Sequence, residues 1–420
     1  MTNYPCKHFV VVTAGTAGDM YPYLRIALAF QRQGHQVTFL GPELYERHAR
    51  QAGVTFQALG SSAEYLTVLN DPDLWHPRKS IGVVLRSMRH ATQALFDFIE
   101  MLPAQQHCVL LAHPLALPAA AIARASRPDM RIVTAYLAPS NLRTVHDPLT
   151  IGPLRIPRLI PLGLRRWFWG RIDAHIIDPI ALPDLNAIRQ TRDLPPVRHL
   201  FEHLYGIADL SVTLFPSWFG KHQPDWPQPM RSAYFQLYDP QPEQTLSPEL
   251  MGFMAAGDKP IVFTPGTGNL QAAAYFNTAL QASNRLGRRA IFLTAYREQV
   301  PPTLPDTVLW QAYVPLRVLL PHVAALVHHG GIGTTAEGLR AGIPQLVVPL
   351  AHDQFDNAMR VQQLGVGDTL STSRLRVGTL TRTLKTLLSS AAIPAQCASI
   401  AARFAEGDDE EALCREIEGI

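Results

Sequence analysis

Short, wholly apolar runs separated by longer amphipathic stretches set the rhythm of the chain. Phe9–Thr13, Gln36–Leu40, Val54–Leu59, Val109–Ala112 and Ile132–Tyr136 read as strands of one sheet. Ile261–Thr264, Ala290–Thr294, Val308–Trp310, Ala325–Val327 and Leu346–Val348 repeat the rhythm in the second half. Apolar runs without alternation suit strands covered on both faces. Between the first two runs, Leu24, Ala27 and Leu28 share one face and Gly34 supplies a stop, which predicts a helix from Tyr21 to Gln33. The alternation predicts an α/β protein with two Rossmann-like parallel-sheet domains facing a central cleft. The Pro-rich polar stretch Tyr238–Pro248 separates the halves. The expected division is 1–237 for a first domain, 238–250 for a linker and 251–395 for a second domain. Residues 396–420 are expected to form a C-terminal helix that packs back on the first domain.

The chemistry concentrates in Leu326–Gln354. A short strand runs into Gly330, Gly331 and Gly333, Thr334 and Thr335 open a helix that stops near Gly342, and a second strand leads to Asp353 and Gln354. Glycines let a turn approach a ligand closely, and a helix opening on such a turn presents unpaired N–H groups to a phosphate. His329 and the hydroxyls of Thr334 and Thr335 can add to that site. Glu337, read on the first helical turn, can accept from a ribose, and Asp353 with Gln354 suits vicinal sugar hydroxyls. Phosphate, ribose and sugar in that order describe a sugar nucleotide. His328 reads as a strand histidine packed by its neighbours. Gly331-Ile-Gly333-Thr-Thr-Ala336, with Asp353 about 20 residues on, also satisfies a dinucleotide fingerprint, which leaves an NAD(P)-dependent oxidoreductase as an alternative.

Two further loops follow strands. Gly15-Thr16-Ala17-Gly18-Asp19 precedes the first helix, where the dipole keeps a carboxylate ionised. On spacing alone Asp19 reads as an N-cap, with Pro22 marking the first turn. Gly266-Thr267-Gly268 is a second glycine turn able to touch phosphate oxygens.

The order of His329, the glycines, Thr334, Thr335, Glu337 and the late Asp353-Gln354 resembles the donor-binding motif of GT-B nucleotide-sugar glycosyltransferases, among them antibiotic, sterol and plant-metabolite glucosyltransferases. Gly-Thr-x-Gly-Asp in the first loop resembles the bacterial natural-product members, which implies that Asp19 is the catalytic base, with Gly15, Thr16 and Gly18 near acceptor and donor. Many plant members place a His near this turn, where this chain has Tyr21 and Pro22. The resemblance implies that Gly266 and Thr267 face the pyrophosphate. It also implies that the base binds at Tyr313, by stacking, or at Val314, through the backbone; Tyr313 equally suits a core aromatic at a strand end.

Along nearly the whole chain the sequence resembles the rhamnosyltransferases of rhamnolipid synthesis and related bacterial glycolipid glycosyltransferases. Asp71–Trp75, Leu214–Phe219, Asp225–Pro229 and Ala351–Ala358 carry that resemblance. It implies inverting transfer of a hexose from dTDP-rhamnose or UDP-glucose to a 3-hydroxyacyl lipid; a sterol or polyketide acceptor is the alternative. No cofactor is implied, the nucleotide-sugar being a co-substrate, and no metal, because helix N-termini and His hold the pyrophosphate. Asp71-x-Asp73 reads as a pair of turn residues.

Composition changes this picture little. The 420 residues are 47% hydrophobic and 17% charged, enough for two cores, and the net charge of +3 implies no nucleic-acid partner. The scattered Cys6, Cys108, Cys397 and Cys414 show neither zinc nor disulfide spacing, which with no signal peptide implies the cytoplasm. Ile151–His175 is different. It interleaves Arg155, Arg158, Arg165, Arg166 and Arg171 with Leu, Ile and Trp, so peripheral contact with an inner membrane, or with the enzyme supplying the acceptor, is a further expectation.

Overall fold

The computed structural model describes residues 6–76, 79–103, 107–147, 150–151, 154–157, 159–405 and 410–420. The chain forms two compact units, Met1–Tyr238 with Asp409–Ile420, and Asp239–Asp408. In the first, β1 (His8–Val12), β2 (Gln36–Gly41), β3 (Thr55–Ala58), β4 (Cys108–Ala112) and β5 (Arg131–Tyr136) form the sheet predicted from the apolar runs. A two-stranded ribbon, β6 (Thr150–Ile151) and β7 (Leu154–Arg155), stands apart. Then β8 (Leu210–Thr213) and β9 (Met230–Ser232) extend the sheet, whose order is β3-β2-β1-β4-β5-β8-β9 with every neighbouring pair parallel. Phe9, Val10 and Val11 of β1 are fully buried, as expected of a central strand covered by helices on both faces.

The second unit holds β10 (Ile261–Thr264), β11 (Ala290–Leu293), β12 (Val308–Gln311), β13 (Ala325–His328), β14 (Gln345–Val347) and β15 (Gly367–Thr369), ordered β12-β11-β10-β13-β14-β15. All of its pairs are parallel. The edge strand β15, Gly-Asp-Thr, has no apolar side chain and gave no signal in the sequence. Its Gly367 is there for proximity, since a Cβ would lie 2.0 Å from the Gln345 carbonyl oxygen.

Two expectations change. The first helix begins at Ala17, not Tyr21, so Pro22 lies inside it and the Gly18 carbonyl near the helix start loses its helical donor. The tail from residue 396 is not one returning helix. Ala392–Ala402 packs on Ile332–Arg340 within the second unit, and only Glu410–Glu418 packs on Ala17–Arg32 in the first. That last helix buries Leu413, Cys414 and Ile417. Glu410 pairs with Arg25 (2.8 Å) and Arg32, and Glu418 meets His35 at 3.0 Å. No described helix is long and apolar enough to cross a membrane.

Candidate functional site

Each sheet reverses its strand order once at its centre, between β1 and β4 and between β10 and β13. Loops leaving strands on either side of such a switch point frame a crevice where ligands bind. All the glycine turns singled out in the sequence leave these strands.

In the first unit the loop after β1 is built around Asp19. Thr16 is the N-cap and Asp19 the third helical residue, so Asp19 is not the cap that its spacing suggested. Its Oδ2 accepts from the Thr16 N–H (2.7 Å) and the Thr16 hydroxyl (3.3 Å). Asp19 Oδ1 accepts from no described residue, and Asp19 forms no ion pair among them. Burial pushes its carboxyl up to about 6, against the pull of the two Thr16 hydrogen bonds. Gly15 has φ +104, and a Cβ there would lie 2.3 Å from Asp19 Oδ2, so only glycine fits. Gly18 is exposed and uncrowded. Tyr65 donates to the Gly15 carbonyl (2.9 Å) and meets the Tyr45 hydroxyl at 3.1 Å, fixing the loop from outside.

Sequence reasoning missed His113, the first residue past β4. Its N–H donates to the Val12 carbonyl (2.9 Å), which ties it to the end of β1. Its Nδ1 accepts from the Leu115 N–H (3.3 Å), so the ring proton belongs on Nε2, and burial holds the imidazole down to about 4. Its signal was position: a His just past a strand at the switch point. A half-buried carboxyl with one free oxygen and no cation beside it can take a proton from a hydroxyl near neutral pH.

In the second unit two loops converge on one ring. A Cβ on Gly266 would lie 2.6 Å from His329, and one on Gly331 2.5 Å from it, so the glycines of the β10 and β13 loops clasp the imidazole from two sides. His329 Nδ1 is buried with no hydrogen-bond partner among the described residues, and burial holds the ring down to about 4, hence neutral. The helix Ile332–Arg340 begins here with Gly331 as N-cap. Thr335 N donates to the Gly331 carbonyl (2.9 Å), the first intrahelical bond, so the N–H groups of Ile332, Gly333 and Thr334 precede it and point outward. Nothing would crowd a Cβ on Gly333, so the helix start is open on that side. His328 is the packed strand histidine expected. Its Nε2 meets Gln345 Oε1 (3.0 Å) and its Nδ1 accepts from the Gly330 N–H (3.2 Å), bracing the turn.

Several predicted contacts are redistributed. Thr335 is fully buried and donates its hydroxyl to the Gly331 carbonyl (3.0 Å), so it braces the turn, whereas the half-buried Thr334 keeps its hydroxyl free among the described residues. Because the helix starts at Ile332, Glu337 lies in its second turn, paired with Arg340. Burial raises the Glu337 carboxyl and the Arg340 guanidinium opposes that. Gln354 Oε1 already accepts from the Leu350 (2.8 Å) and Ala351 (3.1 Å) N–H groups, which leaves only its amide NH2 for a ligand. Asp353 Oδ2 accepts from Asn357 Nδ2 (2.7 Å), and that amide also donates to the Gly330 carbonyl (2.9 Å). The helix after Gly266-Thr267 begins only at Ala273, so this loop offers its own N–H groups and no helix end. Tyr313 is 46% exposed, which excludes the core reading, while Val314 is buried. Asp71 caps the turn that follows it through the Asp73 N–H (2.8 Å), and Asp73 pairs with Lys79 (3.0 Å), as turn residues do.

The buried histidines predict an acid limit on stability. The folded-state pKa values of His113, His328 and His329, about 4, 3 and 4, lie below the ordinary 6.5. The unfolded chain therefore binds more protons below that value, and their contribution, complete above it, is lost as pH falls toward 4. Asp19 and Glu337, whose carboxyls burial raises, act oppositely, while His48 and His203, also lowered by burial, add to these three rings. Calorimetry should show the unfolding temperature of the ligand-free protein falling from pH 6.5 to 4, with a shallower slope for His329→Asn. A flat profile would place these rings in contact with water.

Comparison with known proteins agrees with this fold. Residues 9–115 match the glycosyltransferase family 28 N-terminal domain, and residues 289–412 match the erythromycin biosynthesis protein CIII-like C-terminal domain. The chain is 27% identical over 388 residues to O-mycaminosyltylonolide 6-deoxyallosyltransferase of Streptomyces fradiae, across 84% of this chain and 83% of that protein. It is 27% identical over 363 residues to vancomycin aglycone glucosyltransferase of Amycolatopsis orientalis, across 85% and 84%. The solved structure of spinosyn rhamnosyltransferase SpnG with thymidine diphosphate superposes with a TM-score of 0.67 at 18% identity, covering 98% of this chain and 100% of that one. The two parallel-sheet units are thus the two domains of a GT-B fold. The chain is a glycosyltransferase similar to enzymes that glycosylate antibiotics, and the oxidoreductase reading of the Gly331 turn falls away.

Proposed function

We propose that this enzyme transfers rhamnose or glucose, with inversion and without a metal, from a dTDP- or UDP-sugar to the hydroxyl of a 3-hydroxyacyl lipid. The observation that carries the donor half is the neutral His329 ring where two glycine turns meet, its Nδ1 without a partner among the described residues, beside the N–H groups of Ile332, Gly333 and Thr334 that precede the first intrahelical bond. That is a cradle for a diphosphate, whose negative charge grows as the sugar leaves. Glu337 accepts from the ribose, Tyr313 or the Val314 backbone receives the base, and Asp353 with the Gln354 amide holds the hexose. Gly266 and Thr267 complete the phosphate loop. Asp19 Oδ1 takes the proton of the acceptor hydroxyl. The resulting oxygen forms a bond to the anomeric carbon as the bond to the diphosphate breaks, and the nucleoside diphosphate leaves with the electron pair. The donor is a co-substrate, and no further cofactor enters the reaction.

The lipid acceptor rests on the shared segments Asp71–Trp75, Leu214–Phe219, Asp225–Pro229 and Ala351–Ala358. A polyketide, glycopeptide or sterol acceptor is the second reading, favoured by the relatives' names, which include vancomycin aglycone glucosyltransferase and, at 24% identity over 98% of this chain and 26% of that protein, a sterol 3-beta-glucosyltransferase of Debaryomyces hansenii. A panel of dTDP- and UDP-sugars against 3-hydroxyacyl lipids, a sterol and a macrolide aglycone, read by mass spectrometry, separates them. Transfer only to the sterol or macrolide would reject the lipid.

His329→Ala should weaken nucleoside diphosphate binding by about tenfold or more, the worth of one charge-assisted hydrogen bond. Gly266→Ala should do the same with His329 still present, because its methyl would occupy the ring's place and its φ of +91 suits only glycine. Titration calorimetry giving wild-type affinity for both variants would remove this ring from the phosphate site.

A further inference from the structure

The arginine-rich segment of the first unit turns its apolar side chains outward. Leu159 is 95% exposed and Trp167 61%, and Leu162, Leu164, Phe168 and Ile176 are exposed with them. The helix Leu162–Ile172 is held so that this is its fixed orientation. On the inner side Arg165, only 4% exposed, donates Nε to the Ile160 carbonyl (2.9 Å) and Nη1 to the Val145 carbonyl (2.9 Å). Trp169 Nε1 donates to the Thr144 carbonyl at 3.3 Å. Leu164, Trp167, Phe168 and Arg171, spaced i, i+3, i+4 and i+7, share the outer face. Arg166 and Arg171 are exposed and form no ion pair among the described residues. The only acid between Thr150 and Ile177, Asp173, is taken by Arg143 at 2.5 Å. Arg158, Gly152 and Pro153 lie outside the described residues.

A contiguous exposed apolar patch marks a contact surface. We propose that the helix Leu162–Ile172 and the turn before it form a docking surface for an anionic phospholipid bilayer. The helix, about 16 Å long, is too short to span a hydrocarbon core of about 30 Å, so it lies in the interface with Trp167 and Phe168 inserted. Arg171 on that face and Arg166 on the flank of the helix are left over for lipid phosphates, because Asp173, the one acid of 150–177, is already paired. A second copy fits poorly, because a two-fold contact through this face would set the same arginines near one another. The inference does not depend on which acceptor the enzyme glycosylates.

Co-sedimentation of the full chain with vesicles tests it. Binding to phosphatidylglycerol-containing vesicles should exceed binding to pure phosphatidylcholine by about tenfold or more, and should weaken as salt is raised. Arg166→Glu with Arg171→Glu should abolish the preference for anionic lipid, and Trp167→Ser with Phe168→Ser should lower binding to both vesicles. All four side chains are exposed, so melting temperatures should match wild type, and the salt titration needs no variant. Equal binding to both vesicles, absence of binding, or binding untouched by both double variants would overturn the proposal. So would a concentration-dependent dimer that Trp167→Ser with Phe168→Ser dissolves, which would assign the face to a second copy.

Discussion

Asp19→Asn is expected to lower the transfer rate by about 10²–10⁴-fold, the contribution of one positioned base. The variant keeps the shape of the side chain, and an amide oxygen can still accept from the Thr16 N–H, so fold and donor binding should hold. What it loses is the site for the acceptor proton. The wild-type pH profile gives an independent readout. Burial sets the Asp19 carboxyl at about 6, so it is protonated and inactive below that value. kcat/KM, which reports the free enzyme, should therefore rise through about pH 6 and level off above it, and the residual activity of the variant should lack this limb. The assay compares kcat/KM from pH 5 to 8 with a nucleotide affinity for each protein. A variant as active as wild type, or one that keeps the limb, would make Asp19 only the partner of Thr16 in the helix start.

The sheets were legible because buried parallel strands are written as unbroken apolar runs: β10 stands at its predicted bounds, β4 and β5 differ by a residue at one end, and β1 is shifted by one residue. β15 was not, since an edge strand needs no apolar side chain. The glycine turns were legible as turns, but their partners were not. That Gly266 and Gly331 meet at His329 depends on β10 lying beside β13, a pairing between strands far apart in sequence. Capping shows the same limit. Asp beside a helix start reads as a cap, and only the backbone shows that Thr16 takes that position and Asp19 the third. The Thr335 hydroxyl and the Gln354 side-chain oxygen looked like ligand contacts because they are the right kind of atom, yet the protein uses both on its own loops.

Asp353→Ala should abolish transfer and cost affinity for the intact sugar donor by about tenfold or more, as one hydrogen-bonded carboxylate is lost. From sequence alone, affinity for free nucleoside diphosphate would stay the same. The structure changes that expectation. Asp353 Oδ2 holds the Asn357 amide, and the same amide holds the Gly330 carbonyl of the phosphate turn. The loop carrying Asp353 also bends through His352 at φ +55, a conformation kept only when its neighbours enforce it. Truncating Asp353 therefore also loosens Gly330, and free nucleotide binding should weaken by a smaller factor. Asn357→Ala isolates that part: it should lose the same small factor for free nucleotide while Asp353 remains to meet the sugar. The difference between the two variants, measured with free nucleotide and intact donor in one titration series, is the sugar contact itself. If Asp353→Ala and Asn357→Ala lose the same amount with both ligands, Asp353 shapes the turn and does not touch the sugar. Donors lacking a contacted hydroxyl should then be used as well as the natural one. If Asp353 binds the sugar they should be poor substrates, because the carboxylate would be left without its donor.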